Sequence, residues 1–198
     1  TGIPQIGCNC EVCSSSDEKD KRLRSSVLLQ DENTNIIIDC GPDFRQQLLR
    51  NPVNHLDGML ITHEHYDHIA GLDDIRPLGK CVIYAENRVL LSIRRNLPYV
   101  FLDNPYPGVP KLTLSEIEPN HNIKINNLTI QPIRLMHARL PILGFRIGKF
   151  AYLTDLKSIT SEDIEQLQGL NVLVLNALRH QEHIAHITLK EAIELSRT

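Results

Sequence analysis

Apolar positions along this chain come in short runs separated by polar turns. Ser25 to Gln30 and Asn35 to Asp39 are expected to form paired strands, with Asp31-Glu32-Asn33 as the turn. Gly41-Pro42 breaks the chain, and Asp43 is placed to cap a short helix from Phe44 to Arg50 with Phe44, Leu48 and Leu49 on one face. Met59-Leu60-Ile61 is a short apolar run suited to a buried strand. Gly71 to Leu78 starts as a helix and is stopped at Pro77. Cys81 to Ala85 is predicted as a strand and Glu86 to Asn96 as an amphipathic helix. Leu128 to Leu135, Gly144 to Ile147, Phe150 to Leu153 and Asn171 to Leu175 are further strands. Ser161 is expected to cap a helix to Gln168, and Thr188 to Arg197 to form the last helix. The strands look paired in antiparallel fashion with helices between, which predicts an α/β (α+β) domain of two sheets covered by helices.

Two stretches stand outside this pattern. Residues 1–24 are polar, charged and cysteine-bearing, and are expected to form a loop ordered by a metal. Residues 98–122 are rich in Pro, Asn and Gly and carry Tyr99, Phe101 and Tyr106. Regular strands resume afterwards, so this stretch is expected to be an insertion or lid, closing over a substrate or packing at a homodimer contact. No repeat or low-complexity tract interrupts residues 1–198, which are read as a single domain.

Composition narrows the function. The chain has 198 residues, 41% of them hydrophobic, enough for one domain with a core. A net charge of -3 without a long basic stretch makes a nucleic-acid partner an unfavoured expectation. No apolar run reaches membrane-spanning length, and no secretory signal pattern opens the sequence. Five cysteines include the cluster Cys8-x-Cys10-x-x-Cys13. An odd count with that spacing fits thiolate metal ligation in a reducing compartment better than a disulfide framework, so the cytoplasm is expected.

The chemistry concentrates in His63-Glu64-His65-Tyr66-Asp67-His68, a His-x-His-x-Asp-His run with three imidazoles and the Asp67 carboxylate at the end of an apolar run. Nitrogen and oxygen donors in this density suit a catalytic transition-metal site. Spacing tighter than i, i+4 calls for a loop whose neighbouring side chains face two centres. His137 and Asp155 each follow a predicted strand and add an imidazole and a carboxylate, the latter able to bridge two ions. Such a pair of ions, roughly 3.5–4 Å apart, clamps the attacking and leaving oxygens of a displacement.

The His-x-His-x-Asp-His motif with a later His and Asp resembles the metallo-β-lactamase-fold hydrolases. Further segments, Gly7 to Cys13, Arg22 to Ser26, Asp39 to Arg45 and Gly71 to Pro77, are similar to the phosphoribosyl cyclic phosphodiesterase branch. The resemblance implies a four-layer αββα sandwich with metals at one edge of the sheets. It implies one divalent ion, zinc or manganese, on His63, His65, His137 and Asp155, and a second on Asp67, His68 and the same Asp155. It further implies Asp39 as an acidic residue supporting the site and Cys8, Cys10 and Cys13 as ligands of a separate structural zinc. The branch also carries a first strand with a Gly-Thr-Gly-Thr turn and a Thr-His-x-x-His segment near the C-terminus. Neither stands in residues 1–198, so the domain is expected to be truncated at both ends, with His180 or His183 as substitutes for the missing histidine.

Arg179 to Thr188 holds the second histidine cluster, His180, His183 and His186. A His-x-Thr segment after a strand is similar to the position of a catalytic histidine in cyclic phosphodiesterases and tRNA 3′-processing endonucleases. His186 is the better match, as general acid for the leaving oxygen; His183 is expected in substrate contact or as a ligand, and Arg179 at a phosphate or in a surface salt bridge. The function implied is metal-dependent hydrolysis of a small, cyclic sugar phosphodiester through attack of a metal-bound hydroxide. The alternatives are tRNA 3′-processing, thioester or lactam hydrolysis on the same fold, or a noncatalytic metal-stabilised scaffold.

Overall fold

The computed structural model describes residues 2–197. The chain divides into two compact units at Ser115/Glu116, where the sequence reads as one domain. The first unit is built on a five-stranded sheet. β1 (Val27–Asp31) and β2 (Thr34–Ile38) are antiparallel, with Asp31 opposite Thr34, so the turn between them is Glu32-Asn33. β2 pairs in parallel with β3 (Gly58–Leu60), which pairs in parallel with β4 (Lys80–Ala85). The antiparallel expectation therefore fails in the middle of this sheet. The reason is visible in the runs Ile36-Ile37-Ile38 and Met59-Leu60-Ile61, every member of which is at most 1% exposed. Central parallel strands are covered on both faces and read as continuous apolar runs, not alternating ones.

The helices of this unit are short. α1 (Phe44–Arg50) has the predicted bounds, but Asp43 makes no cap with its side chain. Its carboxylate instead accepts from the Arg24 backbone N–H at 2.8 Å and from the Arg24 guanidinium at 2.9 Å. Phe44 is buried, whereas Leu49, assigned to the same face from sequence, is 66% exposed. α2 (Tyr66–Ile69) is one turn inside the histidine motif, in place of the expected loop. Residues Leu72–Leu78 form a 3-10 turn that contains Pro77 instead of ending before it. α3 (Asn87–Asn96) buries Val89, Leu90 and Ile93, as its periodicity predicts.

Residues 98–122 are only partly an insertion. They hold a 3-10 turn at Pro98–Val100 and then β5 (Lys111–Glu116), the edge strand beside β4. Leu112 and Leu114 of β5 pack on the core of this unit. The Pro, Asn and Gly content of 98–110 conceals a strand whose apolar positions alternate in short register.

The second unit carries a sheet of order β10-β9-β8-β7-β6. β6 (Ile123–Ile125), β7 (Leu128–His137), β8 (Leu140–Ile147) and β9 (Phe150–Leu153) are successively antiparallel, and β10 (Val172–Leu175) lies parallel to β9. β7 runs through His137, so this residue ends a strand instead of following one. α4 (Ser161–Glu165) is capped by Thr160, whose hydroxyl accepts from the Asp163 N–H at 3.1 Å, and not by Ser161. The core of this unit gathers Ile133, Leu135, Ile142, Leu153, Leu156 and Ile187.

α5 (Leu189–Leu195) starts from a reciprocal cap. The Thr188 hydroxyl accepts from the Glu191 N–H at 3.2 Å, and the Glu191 carboxylate accepts from the Thr188 N–H at 2.6 Å. That backbone N–H holds the Glu191 carboxyl below the usual range. The cap's contribution is thus present above the ordinary carboxylate pKa and is lost as pH falls through the lowered one. Thr188→Ala is expected to cost about 1 kcal/mol of stability at neutral pH, read by thermal unfolding, and less of the difference should remain in acid.

Candidate metal centre and active site

The ends of β2 and β3 place the first group of donors. Asp39, just past β2, is fully buried and adopts φ +63°, a left-handed conformation that Asp tolerates better than most residues. Its carboxylate accepts from the Thr62 N–H at 2.9 Å, from the Thr62 hydroxyl at 2.9–3.0 Å and from His68 Nδ1 at 2.7 Å. The single Thr62 hydroxyl proton goes to Asp39, so Thr62 Oγ1 accepts from His63 Nδ1, 2.9 Å away. Both His63 and His68 therefore carry their proton on Nδ1, which leaves Nε2 with a lone pair. His63 Nε2 lies 2.9 Å from His65 Nδ1, a pair of ring nitrogens that needs a proton or a cation between them.

Main-chain bonds hold this motif in place. The Cys40 N–H donates to the His68 carbonyl and the Gly71 N–H to the Cys40 carbonyl, both at 2.8 Å. A Cβ on Gly41 would overlap the Asp67 carbonyl, and one on Gly71 would overlap the Gly41 carbonyl and lie 2.6 Å from Phe44 Cβ. Glu64, between the two ligand-type histidines, is ion-paired with Arg88 of α3. The turn of α2 puts Asp67 and His68 one residue apart on a helix, so they diverge from each other and from His65.

The second unit supplies another group. His137, at the end of β7, donates from Nδ1 to the Ala185 carbonyl at 2.8 Å, so its Nε2 is again the unprotonated nitrogen. Asp155 follows β9 and is the second acidic residue at positive φ, +52°. Backbone strain of this kind concentrates at functional sites. His186 Nδ1 is 3.7 Å from Asp155 Oδ1, and its ring centroid is 4.7 Å from that of His137 and 5.0 Å from that of His183. Among the described residues, His186 Nδ1 is buried without a hydrogen-bond partner. Burial pushes its pKa below the ordinary histidine value, against the opposing pull of Asp155. Arg179 donates to the carbonyls of Gln181 and Glu182, so part of its fork closes its own loop. His180 is exposed, and among the described residues it makes no ring contact of the kind that joins His137, His186 and His183.

The N-terminal loop brings Cys8, Cys10 and Cys13 together, with their sulfurs within 4.8 Å of one another. The Gln5 N–H points at Cys13 Sγ, 3.4 Å away, and the Cys13 N–H at Cys10 Sγ, 3.5 Å away. The Cys13 N–H, first, lowers the Cys10 thiol pKa. A backbone donor on sulfur favours the thiolate, the form that binds zinc; at Cys13 the Gln5 N–H acts in that direction, but burial and the neighbouring Cys8 and Cys10 sulfurs outweigh it and raise the pKa. Cys40 and Cys81 are buried apart from this cluster, and burial pushes the Cys40 thiol well above its ordinary value.

Sequence reasoning does not find Thr62, the Ala185 carbonyl, Gly41 or Gly71. Thr62 adjoins the motif, and its polarity after three apolar residues is the signal available. The other three act through backbone atoms, which carry no side-chain signature.

Residues 34–198 match the beta-lactamase superfamily domain. A protein of Porphyromonas gingivalis named octanoyltransferase is 49% identical over 199 residues, covering 98% of this chain and 40% of that protein. The chain spans about two fifths of the length of the first curated relatives it matches, 40% and 43%. Among solved structures, a diphosphatase from the PhnP family superposes with TM-score 0.90 at 36% identity, covering 99% of this chain and 77% of that one. Zinc-bound PqqB from Methylobacterium extorquens gives TM-score 0.76 at 20% identity, over 100% of this chain and 73% of that one, a likeness of fold alone. Two sheets with few helices and the match over 34–198 make this chain a member of the beta-lactamase superfamily domain family, with the metallo-β-lactamase fold.

Proposed function

We propose that the chain is a metal-dependent phosphodiesterase acting on a small, cyclic sugar phosphodiester. His63, His65, His137 and Asp155 would hold one divalent ion, zinc or manganese, and, as the family resemblance implies, Asp67, His68 and Asp155 a second. The observation that carries this is the state of the rings. His63, His68 and His137 each give their Nδ1 proton to an oxygen that can only accept from them, so each has an unprotonated Nε2. Metal-binding histidines are held in this way, by an acceptor on the nitrogen that does not bind metal. The metals would supply Lewis-acid stabilisation of phosphoryl oxygens and an activated water.

The chain's own residues supply the rest. His186, whose Nδ1 is 3.7 Å from Asp155, would hand a proton to the leaving oxygen; burial lowers its pKa, and the Asp155 carboxylate offsets part of that. Cys8, Cys10 and Cys13 would hold a structural zinc, and these unbridged thiols fit a reducing, cytoplasmic setting. The diphosphatase at 36% identity favours phosphorus over carbonyl carbon as the reacting atom. The octanoyltransferase name belongs to a protein of which this chain matches 40%. Cys40, the thiol nearest in sequence to Asp39, is sealed from solvent with a raised pKa, which disfavours it as an acyl-accepting nucleophile.

Hydrolysis of bis(p-nitrophenyl) phosphate by protein loaded with manganese or zinc tests the proposal. Turnover should require the metal. His65→Ala and His186→Ala should each reduce it by about 10²-fold or more. Metal-loaded protein that leaves this ester and a panel of cyclic sugar phosphates intact, yet cleaves a thioester or lactam, would overturn it.

A further inference from the structure

His183 has two possible duties from sequence, and its hydrogen bond separates them. Its Nδ1 accepts from the Ala185 backbone N–H at 3.1 Å. An amide N–H can only donate, so His183 Nδ1 is the bare nitrogen and its proton sits on Nε2. Neither nitrogen then has a lone pair to give a metal: one is engaged by the amide and the other is protonated. This removes His183 from the set of substitute ligands.

The same bond has a second end. Ala185 is held on both sides, its N–H by His183 and its carbonyl by His137 Nδ1 at 2.8 Å. The His183 ring also stacks against His186 at 5.0 Å and 34°. The chain His183–Ala185–His137 thus sets which nitrogen of His137 is protonated, and the short turn 183–186 sets where His186 stands. We propose that His183 is a positioning residue: by bracing Ala185 it fixes the tautomer of His137 and the seat of His186. The inference rests on the proposed role of His137 as a metal ligand.

Removing the acceptor frees the Ala185 N–H to solvent and loosens the carbonyl that His137 depends on. Losing an outer partner of a metal-binding histidine typically weakens metal by about 10- to 100-fold. Three substitutions separate the bond from mere packing. His183→Asn keeps an acceptor at the position of Nδ1, as Asn side chains bond the backbone two residues on. His183→Phe keeps a ring against His186 without the acceptor, and His183→Ala loses both. Zinc affinity of the full chain, by competition with a chromophoric chelator, should be close to wild type for Asn and about 10-fold weaker or more for Phe and Ala. Nitrogen NMR of the metal-free protein should show His137 protonated at Nδ1 in wild type and Asn, with that signature lost in Phe. If the Ala variant fails to fold, the Asn and Phe pair decides. The proposal is overturned if Phe binds zinc as wild type does with the His137 tautomer unchanged, or if Asn is as weak as Phe. His137→Ala run alongside tells the two readings apart: zinc binding unmoved by that change would sink the metal centre itself, whatever His183 does.

Discussion

Asp39→Asn is expected to reduce metal affinity and turnover by about 10- to 100-fold while leaving the fold intact. The carboxylate faces donors only: the Thr62 N–H, the Thr62 hydroxyl and His68 Nδ1. An amide in its place must turn its NH2 toward one of them. With the oxygen kept on Thr62, the NH2 meets His68 Nδ1, and His68 can accept only by moving its proton to Nε2. That is the nitrogen proposed to hold the second ion. The loss can exceed the central range, since a wrong tautomer in a carboxylate–histidine pair of a serine protease costs about 10⁴ in kcat. Asn tolerates the positive φ of position 39, so backbone strain does not account for the effect. Stability should fall by about 1–3 kcal/mol for the buried bonds altered. Metal titration, phosphodiester turnover and thermal unfolding of the same preparation check all three. An Asp39→Asn variant that binds two ions as tightly as wild type would remove Asp39 from the site's support.

Gly71→Ala should be the most destabilising single methyl in the first unit, by about 3 kcal/mol or more. The added Cβ would overlap the Gly41 carbonyl and sit 2.6 Å from Phe44 Cβ and 3.2 Å from the Cys40 carbonyl. These are backbone atoms and a Cβ, so no rotamer change relieves the clash. The 40–44 segment must move, and it carries the Cys40 N–H that bonds the His68 carbonyl. For a chain of this size the melting temperature should fall by roughly 2–4 °C per kcal/mol. Metal affinity should fall with it. Gly79→Ala is the comparison: its φ is +83°, but nothing lies within 4 Å of the new atom, so only the conformational cost of about 1–3 kcal/mol applies, with no displacement of the motif. Equal melting temperatures for the two variants would show that the close approach at Gly71 does not constrain the motif.

How much of the fold is legible in the sequence depends on where each signal resides. Phe150–Leu153 and Phe44–Arg50 are found within their bounds because a short apolar strand, or a helix set off by breakers such as Gly41-Pro42, needs no partner to be recognised. β6 and β5 escape because three residues, Ile123–Ile125, or a strand behind a Pro- and Gly-rich stretch leave too short a pattern. The parallel pairing of β2, β3 and β4 is misread because strand direction is decided by crossovers and coverage, not by the strand's own residues.

The candidate site divides in the same way. Residue chemistry and order single out His63, His65, Asp67, His68, His137 and Asp155, and Cys8, Cys10 and Cys13, as candidate metal ligands, because metal ligation draws on those side chains; the family resemblance adds His186 as a candidate acid. Tertiary structure decided what each ring nitrogen is able to do. Thr62, Asp39 and the Ala185 carbonyl set the protons of His63, His68 and His137, and the Ala185 N–H sets that of His183. A histidine's sequence neighbours do not state its tautomer; the oxygen or amide that the fold brings to one nitrogen does, and it thereby determines what the other nitrogen can bind.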